Sequence, residues 1–385
     1  EVEKKEEAKG AELQPKTIAK EKPEKTEEPA VEKPVKNAGK EKSDRESPKI
    51  RTLHFLYTAS TFLVLTILVI GVTMINNYDQ MKKMEQTMAR MTEGAMVSGR
   101  VVETEKMVID GRTGETELLL AEQLENKEHD CLLFKRMDAC HYVTFLGFEI
   151  DEDAEVLPLE PLPERKIEVY GDSVSAGEVS EAAEFIGQPD PEHNGEYSNS
   201  YYSYAWLTAR KLGAQLHDVA QGGIALLDGI GWFYEPGYIG MESICDKTAY
   251  HPDLGAIRKW DFSNYIPQAV IVAIGQNDSH PTDFMARDYD GIMGRKWRKH
   301  YREFILKLRE IYPDAQIILT TTIMEHDIAW DRAIEEVCES IADANVHHFL
   351  YRKNGCGTKG HIRIPEAEEM AEELAAYIEV LWEDI

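Results

Sequence analysis

For residues 161–385 the sequence predicts an α/β fold, a parallel five-stranded sheet layered between helices on both faces. Three observations carry that prediction. Short apolar, β-branched runs recur near 167–171, 215–220, 269–275, 316–322 and 346–351. Helix-length stretches alternate with them near 200–212, 294–311, 330–343 and 365–383. The run Ala269-Val270-Ile271-Val272-Ala273-Ile274 has no polar position, as expected of a strand buried on both faces. In such sheets the site lies at the carboxyl ends of the strands.

The segments ahead of that domain read differently. Residues 1–50 are Lys, Glu, Pro and Ala with almost no aromatics. Such a stretch buries too little surface to offset chain entropy, so a disordered tail is expected. Residues 51–77 follow as a transmembrane helix. No Asp, Glu, Lys or Arg occurs from His54 to Tyr78, and the run Leu53–Ile75 is long enough to span the hydrocarbon layer, which takes about 20 residues. Lys40, Lys42, Arg45, Lys49 and Arg51 precede this span, and Lys82, Lys83 and Arg90 follow it. That excess puts the tail on the cytoplasmic side and the rest of the chain outside, with the lipid bilayer as one partner. The chain opens on Glu rather than Met, and no signal peptide begins it. Met81, Met84, Met88 and Met91, at steps of three and four, give residues 78–97 the pattern of a short stalk helix. Residues 98–160 alternate in short runs: Arg100–Glu103, Glu117–Leu120, Cys131–Phe134 and His141–Phe145. They predict a small β-rich domain.

Charge and cysteine content exclude several classes. The formal charge of −27 lacks the basic footprint that nucleic-acid binding needs. Residues 1–51 hold 14 Lys/Arg against 13 Asp/Glu, so the whole acidic excess lies after them. Five cysteines, with no close pair of metal-ligand spacing, predict neither a disulfide framework nor a metal site, and free buried thiols are expected. Nothing in the sequence calls for a cofactor.

The chemistry lies in four segments. Ile167 to Gly177 reads as a strand leading into a small-residue turn, Gly171-Asp172-Ser173-Val174-Ser175-Ala176-Gly177, which presents one hydroxyl at a strand's carboxyl end. Leu216 to Gly223 is a strand end running into two glycines, and Gly275-Gln276-Asn277-Asp278 closes the buried third strand. Gly357-Thr358-Lys359-Gly360-His361 lies shortly before the last helix. Each segment alone is ordinary turn or cap chemistry. In this order, each after a strand, they resemble the blocks of the SGNH (GDSL) hydrolase superfamily.

That resemblance implies a nucleophile at Ser173 and a general base at His361. It implies an oxyanion hole made by the Ser173 N–H, the Gly223 N–H and the Asn277 side chain. The physical chemistry agrees, because acyl transfer puts negative charge on one oxygen and fixed neutral donors stabilise it. One position departs from the pattern. The superfamily places an Asp three residues before the histidine, and here that residue is Thr358. Three options follow: a Ser–His dyad oriented by a backbone carbonyl, another carboxylate (Asp278 or Glu366), or impaired activity.

Ser200 to Leu212, Gly222 to Leu227, Phe145 to Ile150 and the Pro-rich approach Leu157 to Lys166 narrow the likeness. They resemble the family 2 carbohydrate esterases, over roughly residues 140–385. Some members of that family also lack the acid. The resemblance implies hydrolysis of an O-acetyl ester on a carbohydrate. Residues 228–266 form a long aromatic insert at the site end, where Trp232, Tyr234 and Trp260 are candidates to stack on sugar rings, with Asp278 a further candidate contact. Two other readings stay open: a cell-envelope glycan O-acetyltransferase using the same Ser–His pair, and a non-catalytic glycan-binding module.

Overall fold

The computed structural model describes residues 117–121, 124–138, 144–234, 237–251 and 256–383. The tail 1–50, the apolar run Leu53–Ile75 and the stalk 78–97 lie outside them. Among the described residues no helix is long and apolar enough to cross a membrane.

Residues 161–385 are built on five parallel strands: β1 (Lys166–Gly171), β2 (Gln215–Ala220), β5 (Ala269–Ala273), β6 (Gln316–Thr320) and β7 (Val346–His348), in the order β2-β1-β5-β6-β7. An antiparallel pair, β3 (Lys247–Ala249) and β4 (Arg258–Lys259), sits in the long insert between β2 and β5. The helices are the single turn α1 (Ser173–Ala176), then α2 (Tyr204–Lys211), α3 (Met241–Ile244), α4 (Phe284–Arg287), α5 (Ile292–Ile311), α6 (Ile328–Ile341) and α7 (Ile364–Glu383).

The period-2 geometry of a strand divides the sheet's side chains between two cores. Val270 and Val272 of β5 pack on one face with Tyr170, Ile317 and Leu319, under Trp297, Tyr301, Phe304 and Leu308 of α5 and Trp330 of α6. Ala269, Ile271 and Ala273 face the other way, with Ile167, Val169 and Ile318, under Tyr204 and Ala205 of α2 and Met370 and Leu374 of α7. Trp297, Tyr301, Phe304 and Leu308 recur at steps of three and four, which is why α5 forms there and buries that stripe. Truncating one such aromatic, Trp330→Ala, costs about 3–5 kcal/mol. Chain order along the sheet reverses between β1 and β5, so a crevice opens outside their carboxyl ends.

The β-rich reading of residues 98–160 falls partly outside the described residues. Among the described residues from 117 to 165 there is no strand. Glu117–Leu120 and Cys131–Phe134 have no ladder partner among the described residues, and Leu119 and Leu132 are each 65% exposed. Alternation marks a segment that suits a sheet, but only a paired neighbour makes it a strand. Arg100–Glu103 and residues 141–143 lie outside the described residues. The thiols differ from expectation too, since Cys131 and Cys356 are exposed while Cys245 is buried.

Candidate active site

Ser173 is the first residue of α1, directly after β1, and is 4% exposed. Asp172 caps that turn, its Oδ1 accepting the Val174 N–H at 3.0 Å. Its Oδ2 accepts from Asn277 Nδ2 at 3.1 Å. The Asp of the Gly-Asp-Ser turn therefore does two jobs, holding the Ser173 turn and fixing the Asn277 carboxamide that follows β5. Burial pushes the Asp172 carboxyl up to about 6.

His361 Nε2 lies 2.7 Å from Ser173 Oγ. Its Nδ1 lies 2.6 Å from Asp190 Oδ2, and its backbone N–H donates to Asp190 Oδ1 at 2.9 Å. The buried Arg363 guanidinium sits 2.9 Å from the same Oδ1 and also donates to the His361 carbonyl. Asp190 thus grips the histidine by ring and backbone together. Burial works against its charge, but His361 and Arg363 outweigh it and hold the carboxyl well below the usual range. Burial likewise disfavours the imidazolium, yet the bond and charge of Asp190 outweigh that penalty and hold His361 above the ordinary histidine value.

The expectation of a Ser–His pair without an acid differs from this geometry, in which a carboxylate meets the imidazole. It comes from 171 residues upstream rather than three. Thr358 is buried, and its carbonyl accepts from Glu325 N at 2.8 Å. Neither proposed substitute reaches the ring. Asp278 is fully buried and accepts the Leu226 and Leu227 N–H groups at 2.8 and 3.2 Å. Glu366 accepts the Arg363 N–H at 2.9 Å, a cap on the last helix. One signal for Asp190 was present in the sequence: it stands between Pro189 and Pro191, two residues that stiffen the loop. Gly360 was another. A Cβ there would fall 2.5 Å from Asp190 Oδ1, so only glycine admits the acid loop at that point.

The residues expected as oxyanion donors follow β1, β2 and β5 at their carboxyl ends. Gly223 adopts φ +74, and its carbonyl accepts the Trp232 and Phe233 N–H groups, both at 2.8 Å. A Cβ at Gly223 would lie 2.9 Å from Phe233 N. Among the described residues nothing accepts the N–H of Gly223 or of Ser173. The preceding N–H, of Gly222, donates to Asp138 Oδ2 at 2.6 Å.

The aromatic candidates divide. Trp232 is 62% exposed, stacks on His280 at 3.4 Å, and stands beside Gly223. Tyr234 is 63% exposed. Trp260 is not at the site. It packs 4.7 Å from His217, whose register partner in β1 is Glu168, three residues before the site end of the strand. Asp278 is likewise a buried anchor for the insert rather than a substrate contact. As to metals, Asp190, His193 and His361 bring one ligand atom each within 4.8 Å of one another. Two of these three are already engaged with each other in the bond that orients the base.

Residues 87–159 match the family model described as Carbohydrate esterase 2 N-terminal. The chain is 32% identical over 270 residues to the cellulase/esterase CelE of Acetivibrio thermocellus, covering 67% of this chain and 31% of that protein. It is 32% identical over 194 residues to an acetylxylan esterase / glucomannan deacetylase of Cellvibrio japonicus, covering 50% of this chain and 49% of that one. The chain is similar to the family 2 carbohydrate esterases. It spans about half or less of the length of these two curated relatives. A solved structure of a family two carbohydrate esterase from Clostridium thermocellum, in complex with cellohexaose, is 29% identical with a TM-score of 0.48, covering 60% of this chain and 68% of that one. The family-model match carries the likeness back to residue 87, well ahead of the motifs legible in the sequence. That matched stretch also supplies Asp138, the carboxylate that holds the Gly222 N–H.

Proposed function

We propose that this chain is a serine esterase that removes acetyl groups from carbohydrate hydroxyls. One observation carries the reading: a single imidazole bridges Ser173 Oγ at 2.7 Å and Asp190 Oδ2 at 2.6 Å, at the strand-order reversal of a parallel sheet. His361 Nε2 takes the Ser173 proton as Oγ bonds to the acetyl carbon. The carbonyl oxygen, now an oxyanion, receives the Ser173 and Gly223 N–H groups and one Asn277 N–H. As the intermediate collapses, the bond from carbon to sugar oxygen breaks and His361 returns its proton to that oxygen. Water then repeats the cycle on the acetyl-serine and frees acetate. Asp190 keeps the Nδ1 proton facing away from the serine and stabilises the imidazolium at each half-step.

Release of acetate from small acetylated sugars tests this reading. The chain releases acetate, and Ser173→Ala abolishes release with little change in melting temperature. Activity above a few per cent in that variant places the nucleophile elsewhere.

The same proposal anchors the enzyme. The uncharged run Leu53–Ile75 and the Lys/Arg excess before it support a single span with the tail cytoplasmic and the esterase outside. Protease added to intact cells sheds the esterase and spares the tail. Digestion of the tail alone inverts the orientation and removes the external-glycan reading.

A further inference from the structure

The oxyanion donor assigned to Gly223 belongs to a peptide that two glycines leave free to turn, and one buried side chain holds it. Gln221–Ile224 is a tight turn, closed by the Ile224 N–H on the Gln221 carbonyl at 3.2 Å. Gly222 and Gly223 are its central residues. Only the second has a positive φ, +74, the pattern of a type II turn. Types I and II differ by a near half-turn of the central peptide, and glycine at both central positions permits either. A trans peptide points its C=O and its N–H in opposite directions. The Gly222 carbonyl and the Gly223 N–H therefore reverse together when that peptide flips.

Building on the esterase reading, we propose that Gln221 is a positioning residue that sets this peptide and so aims the Gly223 N–H at the oxyanion. The Gln221 side chain is buried. Its Nε2 donates to the Gly222 carbonyl at 3.3 Å and to Asp138 Oδ2 at 2.9 Å. Its Oε1 accepts the Tyr250 O–H at 2.7 Å. A carboxamide NH₂ has two hydrogens, and these two acceptors take one each. With the Gly222 carbonyl drawn to the Gln221 side, the Gly223 N–H faces the other way, and among the described residues nothing accepts it. The flipped peptide would offer the oxyanion a carbonyl oxygen in place of a donor. It would also strip a buried Gln221 N–H of its acceptor. The two ends of the turn are tied as well. Asp138 Oδ2 accepts the Gly222 N–H at 2.6 Å, and the Gln221 N–H donates at 3.3 Å to the carbonyl of Gly171, the last residue of β1. The stretch ahead of the sheet, where Asp138 lies, thus reaches the oxyanion hole through Gln221.

Acetate release by the full chain tests this role, with kcat and KM read separately. Gln221→Met keeps the volume and removes the donor and the acceptor. It lowers kcat on the order of 10- to 100-fold, short of outright donor deletion because the turn still samples the productive form, and leaves KM within about twofold. Asp138→Ala acts in the same direction. Asp138→Asn, whose amide oxygen takes the place of Oδ2, recovers most of the rate. Tyr250→Phe frees only the far end of the carboxamide and lowers kcat by about 2- to 10-fold. A merely structural role would lower the melting temperature without this order in kcat. Unchanged kcat in Gln221→Met, a loss confined to KM, or equal kcat in Asp138→Ala and Asp138→Asn overturns the assignment. If Gln221→Met does not fold, Tyr250→Phe and the two Asp138 variants decide by the same criteria. Any of those results beside wild-type turnover leaves the esterase reading standing, whereas a wild type that releases no acetate sinks both.

Discussion

Of the imidazole–carboxylate pairs among the described residues, His361–Asp190 and His326–Asp331 share a raised histidine, and they differ in what the other ring nitrogen faces. His361 meets Asp190 through Nδ1 and faces the Ser173 hydroxyl through Nε2. His326 meets the Met324 carbonyl through Nδ1 at 2.7 Å and both oxygens of Asp331 through Nε2 at 3.1 and 3.2 Å. Both are held above the ordinary histidine value. In each case burial opposes the charge and a carboxylate outweighs it. The difference is what the second nitrogen faces. A carbonyl and a carboxylate only accept, so His326 is favoured as a donor at both nitrogens, which stabilises its charged form. A hydroxyl can donate, so His361 Nε2 is free to accept a proton. Asp331 is further committed to Thr321 Oγ1 at 2.7 Å and Asn354 Nδ2 at 2.9 Å, a buried polar network with a structural role.

The contrast breaks first at the histidines. His361→Ala lowers kcat by 10³-fold or more, on the order seen when a triad base is lost, and barely moves the melting temperature. His326→Ala does the reverse, leaving kcat of the folded enzyme within a few-fold and lowering stability. Steady-state kinetics beside thermal melts separate the two. If His326→Ala is the variant that loses turnover, the assignment of roles is inverted.

The acids should follow their partners. Asp190→Asn costs on the order of 10²–10⁴ in kcat, because it removes the group that sets the tautomer and stabilises the imidazolium. Asp331→Asn leaves kcat alone and destabilises by about 3 kcal/mol, the usual loss when one member of a buried pair is removed. Chemical denaturation and initial rates read the two effects. Asn277→Ala, which removes an oxyanion donor and leaves both pairs intact, lowers kcat by about 10²–10³ with little change in KM. A change confined to KM would falsify the oxyanion role.

Dependence on pH sharpens the comparison further. His361 must be neutral to act, and Asp190 holds its pKa up. The acid limb of kcat/KM therefore lies above about 6.5, and Asp190→Asn moves it down. For the second pair the readout is stability. His326 is raised, so its contribution is complete below its unfolded pKa of about 6.5 and fades as pH rises through the higher folded value. Asp331 is lowered, burial opposing and His326 prevailing, so its contribution is complete above about 4 and fades as pH falls through the lower folded value. The gap in melting temperature between wild type and Asp331→Asn is accordingly widest between about pH 4 and pH 6.5. A gap that grows towards alkaline pH contradicts the account of His326 as a charge-stabilised histidine. Thr358→Ala is the smallest effect, a loss of less than about threefold in kcat, since its carbonyl serves Glu325 and not the base.

The sequence by itself determined the sheet and the three groups that each sit at the end of a strand or just before a helix. The strand near 269–275 resolves to Ala269–Ala273, and the helix near 294–311 to Ile292–Ile311, because apolar period and length are local properties of the chain. Ser173, Gly223 and Asn277 were legible for the same reason: each lies in the turn that its own strand feeds. Which carboxylate reaches His361 was not local. Thr358, at the spacing where the superfamily has its acid, carries no carboxylate, and Asp278 and Glu366, weighed as substitutes, are engaged elsewhere, because a side chain's partner depends on which loop folds over it. Only the tertiary structure brought Asp190 across 171 residues to the histidine. Likewise, only packing could separate Trp232 on the lip from Trp260 against His217, since one aromatic insert gives both residues the same composition. Periodicity records what a residue does within its own element, and long-range contact is set by loops whose course the local pattern does not encode.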